Sequence, residues 1–152
     1  MTEGTLPFRI VVDTRERKPY FEDLGDEDVI HKKLDTGDYS IEGFENLVAV
    51  ERKSLNDLIR SISVDRDRFL NEIIRGNDLA GFIVVIESTR GHVGSGNYYS
   101  KMHPNAIFGT LSAWEANNDV QFVWATNRDG GEAETLEQLT KWWNGELLPM
   151  HF

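Results

Sequence analysis

Hydrophobic positions recur along the chain in two rhythms, and each rhythm predicts an element. Phe8 to Val12, entered from Pro7 and ending at Asp13, is the pattern of a buried strand. Thr14 to Asp28 is polar, contains Pro19 and reads as loop with at most a helical turn. Val29 to Leu34 predicts a second strand, and Asp35-Thr36-Gly37-Asp38 has the chemistry of a turn. Tyr39 to Glu42 and Leu47 to Arg52 predict two strands joined by Gly43-Phe44-Glu45-Asn46, a hairpin signal. Ser54 then stands as a helix N-cap ahead of the apolar stripe Leu55, Leu58, Ile59 and Ile62. A second helical segment spans about Asp65 to Arg75, with Phe69, Leu70, Ile73 and Ile74 at helical spacing and Gly76 at its end.

Gly81 to Glu87 is apolar at successive positions, which predicts a central strand covered on both sides. Ser88 to Lys101, with Gly91, Gly94, Gly96 and Asn97, reads as a mobile loop. Pro104 suits the first turn of a helix running to about Asn117. Val120 to Ala125 predicts another strand and Ala133 to Trp143 a closing amphipathic helix. Strands and helices alternate after a strand-rich start. The expected fold class is therefore α/β, a mixed central β-sheet flanked by helices, in a single domain over residues 1–152 without internal repeats.

Composition narrows the chemistry. A chain of 152 residues buries enough surface to hold a core without staples, and the absence of cysteine excludes disulfides, a thiol nucleophile and a cysteine zinc site. The longest apolar run, Gly81 to Ile86, is far short of a membrane span, and no signal stretch opens the chain, so no membrane partner and an intracellular location are expected. With 16 Lys and Arg against 26 Asp and Glu the net charge is -10, so any surface that meets phosphates must be local.

The hairpin carries the most informative constellation. If its connection closes symmetrically, Glu42 pairs with Leu47 and Asp38 falls opposite Glu51. Directly opposed side chains have Cβ atoms about 4.5–5.5 Å apart, close enough for two carboxylates to share one hard cation such as Mg²⁺. Alternation puts Lys53 on the face of Glu51 and turns Arg52 the other way. A carboxylate pair with an ammonium alongside is equipment for phosphodiester hydrolysis, and the spacing matches the general PD-(D/E)xK nuclease pattern. The bland alternative is a solvated strand edge in which Lys53 pairs with a neighbouring acid.

Further segments extend the pattern. Val11-Val12-Asp13-Thr14-Arg15-Glu16, then Gly37-Asp38-Tyr39, then Val50-Glu51-Arg52-Lys53-Ser54 with Asp57-Leu58-Ile59 and Ser61-Ile62 occur in that order. Together they resemble the XPF family of structure-specific DNA nucleases, whose marks are a V-D-x-R-E segment, a G-D-Y and an E-R-K-x-x-x-D signature. The likeness continues through Phe82 to Glu87 and more faintly through Asn105 to Trp114 and Gln121 to Trp124. It implies a restriction-endonuclease-like fold and a Mg²⁺- or Mn²⁺-dependent endonuclease acting on branched, flapped or forked DNA in repair or recombination.

Residue by residue, the resemblance implies that Asp13, Asp38 and Glu51 surround the metal, with the backbone carbonyl of Arg52 as a further ligand. Glu16 is implied as an outer acceptor or the partner of a basic residue, Lys53 as catalytic, and Arg52 as a phosphate contact or a holder of the acids. Asp57 matches the last acid of the signature, and reciprocal capping with Ser54 explains it equally well. Arg15 is a candidate for the scissile strand or for an ion pair with Glu16 or Asp38. Arg60, Arg66 and Arg68 could track phosphates, although their interleaving with Asp65 and Asp67 suits a solvated face.

Tyr98, Tyr99 and Lys101 combine aromatic and cationic groups that could stack on unpaired bases, or form a plain surface loop. His31, His92, His103 and His151 lack ligand spacing and receive no chemistry, and Trp114, Trp124, Trp142 and Trp143 are expected in the core or an interface. The tandem helix-hairpin-helix module usual in the family is absent from these residues, which puts affinity and branch selectivity in question. By resemblance, a homodimer would form through Phe108 to Trp114 and Leu136 to Trp143. The rival reading is a catalytically silent scaffold that binds DNA or a nuclease partner; such members lose signature acids, whereas Asp13, Asp38, Glu51 and Lys53 are all present here.

Overall fold

A computed structural model describes residues 6–146. Its elements are β1 (Ile10–Val12), β2 (Val29–His31), β3 (Tyr39–Ile41), β4 (Val48–Lys53), α1 (Leu55–Ile62), α2 (Arg66–Gly76), β5 (Gly81–Ile86), α3 (Arg90–Ser95), α4 (Pro104–Asn117), β6 (Val120–Trp124) and α5 (Arg128–Trp143). The strands form one six-stranded sheet in the order β2-β1-β3-β4-β5-β6. β1 is parallel to β2 and antiparallel to β3, β3 is antiparallel to β4, and β4, β5 and β6 run parallel. This is the mixed, helix-flanked α/β sheet that the alternation of elements predicts.

Strand pleating sorts the buried residues into two cores. Ile10 and Val12, Tyr39 and Ile41, Val48 and Val50, and Ile83 and Val85 face one side, where they pack with Tyr20, Phe21 and Leu139 of α5. Ala49 and the alternate residues of β5, Phe82, Val84 and Ile86, face the other. There they meet Leu58 and Ile62 of α1, Phe69 and Ile73 of α2, and Ile107, Leu111 and Trp114 of α4. Each large apolar side chain so buried contributes about 1.5–3 kcal/mol. A register slip of one residue would turn the whole set inside out, so the pleat is strongly fixed.

The structure departs most from the sequence pattern at three places, beside shifts of one or two residues at strand ends such as β1, which begins at Ile10 and not Phe8. Within the stretch read as a loop, residues 90–95 form α3: Thr89 caps it by accepting from the His92 amide, Gly96 closes it at φ 73°, and Val93 anchors it in the core. β2 ends at His31, three residues before the expected limit, and the side chains of Lys32 and Lys33 lie in solvent. α5 begins five residues early, because the Asn127 side chain accepts from the Gly130 amide and starts the helix there. Gly131 lets this turn approach the sheet; a Cβ there would overlap the Tyr20 hydroxyl, at 2.1 Å.

Candidate active site

The hairpin register places the acids. Tyr39 lies opposite Val50, the same alignment that sets Asp38 against Glu51. Tyr39 and Val50 face the α5 core, so Asp38 and Glu51 turn together to the α1 and α2 side. Gly37 makes the approach possible: its φ of +81° is in the left-handed region, and a Cβ would sit 2.8 Å from that of Ala49 and 3.2 Å from the Val50 carbonyl. Beyond this turn the Asp38 amide donates to the Val50 carbonyl at 2.8 Å, and Asp38 Oδ2 accepts from the Arg52 amide at 2.8 Å. The Asp13 amide donates to the Asp38 carbonyl at 2.9 Å and joins the end of β1 to the same corner.

The carboxyls of Asp38 and Glu51 lie within hydrogen-bond reach of one another. Glu51 is 8% exposed, and Lys53 Nζ stands 3.5 Å from Glu51 Oε2 and 4.8 Å from the centre of the Phe69 ring. The expected face is thus observed for all three residues. Burial pushes the Asp38 carboxyl up to about 7, reinforced by the charge of Glu16 and opposed by the hydrogen bond from the Arg52 amide. Burial, then the charges of Asp38 and Glu72, hold Glu51 well above the usual carboxylate range. In the absence of a cation the pair retains a proton at pH values where ordinary acids have lost theirs, as crowded carboxylates must.

Glu72, on α2, is the member that sequence reasoning missed. Its carboxyl meets that of Glu51, burial raises its protonation, and Lys53, Arg75 and Arg15 draw it back. One of its oxygens, Oε1, is buried without a hydrogen-bond partner. Glu72, Lys53, Arg68 and Arg75 share a concavity of about 260 Å³ with Ser61, Asp65 and Phe69. Glu72 lies three residues after Phe69 and one before Ile73, at the edge of the stripe that packs on the sheet. That spacing was the available signal.

Asp13 reaches the same corner and is already engaged. Its Oδ1 accepts from the Leu34 amide at 2.9 Å, and its Oδ2 accepts from Arg15 Nε at 2.9 Å. As they stand, no three histidine or carboxylate side chains among the described residues are arranged to hold a metal ion together. The three-acid cage that the resemblance implies is therefore not preformed. The donor set nevertheless suits a hard divalent cation, being made of carboxylate oxygens, with two carboxyls brought together where burial raises the pKa of both.

Arg52 and Glu16 belong to a second cluster, across the sheet. Arg52 Nε donates to Glu87 Oε2 at 2.8 Å and its Nη1 to the Lys18 carbonyl at 2.6 Å, while the guanidinium lies 4.7 Å over the Tyr20 ring. Glu16 Oε2 accepts from the Tyr39 hydroxyl at 2.8 Å, and Tyr39 in turn accepts from the Tyr20 amide at 2.8 Å. Tyr20 donates its hydroxyl to Glu87 and stacks on Tyr39. Removing one partner from such a half-buried charged network typically costs several kcal/mol. The arrangement clamps the loop after β1 against β3 and β4.

The remaining candidates are dispersed. Arg60 and Arg68 both pair with Asp65, at 3.1 and 3.2 Å, as a solvated face would. Arg66 donates to the Ile62 carbonyl and lies over Trp114. The Asp57 amide donates to Ser54 Oγ at 3.2 Å, so the N-cap is formed. The Tyr98 hydroxyl is tied to the Met102 carbonyl at 2.6 Å, whereas Tyr99 is 98% exposed and Lys101 is exposed. A groove of about 450 Å³ brings Tyr99 and Ser100 together with Asn56, Asp57, Arg60 and Val64.

Of the tryptophans, Trp114 is buried, Trp124 and Trp142 are half-buried, and Trp143 is 38% exposed. His92 and His103 act within local turns, His103 as the cap of α4. His31 is exposed, and His151 lies outside the described residues. No helix among the described residues is long and apolar enough to cross a membrane.

A mixed sheet presenting opposed acids at the open end of the hairpin, with a lysine beside them, is the arrangement expected of a nuclease-type α/β domain. Comparison with known proteins agrees. The profile of the ERCC4 domain matches residues 12–133, and the chain belongs to this family, that of XPF-type nuclease domains. Among solved structures it is similar to XPF from Aeropyrum pernix, with 22% identity and a TM-score of 0.69 over 89% of this chain and 61% of that one. It is also similar to the same archaeal XPF in complex with DNA, with 21% identity and a TM-score of 0.66 over 91% of this chain and 66% of that one. The chain thus spans less than two thirds of each of these two structures. No sequence among curated proteins matches it.

Proposed function

We propose that this chain is a divalent-metal-dependent DNA endonuclease that hydrolyses phosphodiester bonds in branched, flapped or forked DNA. The observation that carries the reading is the opposed pair Asp38 and Glu51 with Lys53 on the same face, in a chain of the ERCC4 family. A solved XPF of the same fold, in complex with DNA, supports the substrate class.

Asp38 and Glu51 would hold Mg²⁺ or Mn²⁺, with Asp13 and the Arg52 carbonyl as further oxygen donors. The bound ion would polarise a phosphoryl oxygen and lower the pKa of a water. Lys53, held between Glu51 and the Phe69 ring, is placed to orient the nucleophile and to offset charge developing on phosphorus. Arg52 and Glu16 act as positioning residues: the Arg52 amide fixes Asp38, while its side chain and Glu16 secure the loop that delivers Asp13 and Arg15. Arg15, Arg60, Tyr99 and Lys101 are the DNA contacts of this reading, with Tyr98 holding the loop that carries Tyr99 and Lys101. Association of two copies through the C-terminal half would use the exposed part of Trp143, since Trp114 is committed to the core.

The test is a panel of single-stranded, duplex, flapped, forked and four-way DNA, assayed with Mg²⁺, with Mn²⁺ and in excess chelator. Nicking of the branched substrates with either metal and none in chelator is expected. Binding without cutting under every condition would favour the silent scaffold, and full activity in chelator would end the metal proposal.

A further inference from the structure

We infer that Arg15 is the resident counter-cation of the metal-free site, holding Asp13 away from Asp38 and Glu51 until a divalent ion displaces it. This deepens the proposed function and rests on it. Arg15 Nε lies 2.9 Å from Asp13 Oδ2, and its Nη2 donates to the Leu34 carbonyl at 2.7 Å. The two groups thus bracket Asp13, whose other oxygen is taken by the Leu34 amide. Besides Asp13, the guanidinium is attracted by both Asp38 and Glu51, and Glu72 is drawn by it in turn. It therefore lies in the field of every acid at this corner.

The contact is built to give way. The Arg15 side chain is 63% exposed, while Asp13 is 4% exposed. The guanidinium holds Asp13 at two points, Nε to Oδ2 at 2.9 Å and Nη2 to Oδ1 at 3.4 Å, but with its outer face in solvent it can leave when a doubly charged ion among three carboxylates repels it at the same place. Displacement would leave Asp13 in reach of the pair and release a guanidinium at the rim of the site, where a phosphate can take it up. Metal and DNA would then each favour the other's binding, because both favour the form in which Arg15 has left Asp13.

When DNA is absent, a mere DNA contact at position 15 leaves Mn²⁺ binding unchanged, whereas a metal competitor there weakens it. The experiment is Mn²⁺ calorimetry on the metal-free chain, comparing wild type, Arg15→Gln, Arg15→Lys, Asp13→Asn and the double variant Arg15→Gln/Asp13→Asn. If Arg15 competes, Arg15→Gln binds Mn²⁺ about fivefold more tightly than wild type and Arg15→Lys falls between them. The gain disappears when Asp13 is also changed, which isolates the pair. Thermal melts of the same samples in chelator check that each variant folds.

Unchanged or weaker Mn²⁺ binding by a folded Arg15→Gln overturns the inference and leaves the functional reading intact. The absence of a stoichiometric site in wild type and variant alike removes both.

Discussion

Glu51→Gln is expected to lower metal-dependent nicking by about a thousandfold or more while leaving the chain folded. The substitution keeps the shape of the side chain and removes the charge that a divalent ion needs. Glu51 is 8% exposed at the centre of the cluster, between Asp38 and Glu72 and beside Lys53, so little solvent is available to replace what is lost. Asp38→Asn should act similarly, since its carboxyl is the other half of the opposed pair. Lys53→Ala should reduce the rate by about a hundredfold even at saturating Mn²⁺, because the ammonium works on the phosphate and not as a ligand. Single-turnover nicking of a forked substrate measures all three. Loss confined to Lys53→Ala, with both acid variants active, would contradict the assignment.

The same acids make a second, opposite prediction about stability. In metal-free protein Asp38→Asn should melt about 5 °C higher than wild type at pH 8, and no higher at pH 4. Burial raises the folded-state pKa of Asp38 to about 7, whereas an aspartate in the unfolded chain titrates near 4. A raised folded value means that the group's favourable contribution is complete below the unfolded pKa and is lost as pH rises through the folded one. At 1.36 kcal/mol per pH unit, this penalty has a ceiling on the order of 4 kcal/mol; solvent at a half-buried group and coupling to Glu51 reduce it to about 1–2 kcal/mol. For a domain of this size that corresponds to several degrees. Differential scanning calorimetry in chelator from pH 4 to 8 checks the sign. A variant that melts below wild type throughout would show that the carboxylate stabilises the fold. Added Mn²⁺ should close the gap by stabilising wild type, through preferential binding to the folded form.

The site was legible where strand alternation governs it. The symmetric hairpin sets Asp38 against Glu51, and a period of two then separates Lys53 from Arg52; both relations hold in the structure. The alternating arrangement of strands and helices likewise gave the mixed sheet. What alternation cannot show is which partner a side chain finds outside its own strand. Glu72 belongs to a helix whose apolar residues dominate the pattern, and its meeting with Glu51 depends on how α2 packs. The engagement of Asp13 by Arg15 and the Leu34 amide depends on a loop without period. α3 was concealed for a different reason: its glycines suggest a loop, while the signals that make it a helix are the Thr89 cap, the left-handed Gly96 and one buried valine.

Diffraction from crystals containing Mn²⁺, recorded at the manganese absorption edge, tests the proposed metal site most directly. The expected result is one anomalous peak within about 2.0–2.4 Å of carboxylate oxygens from both Asp38 and Glu51, with Asp13 turned towards it and Arg15 turned away. A peak that avoids this pair, or none at saturating Mn²⁺, would contradict the assignment of these acids as the metal-binding centre.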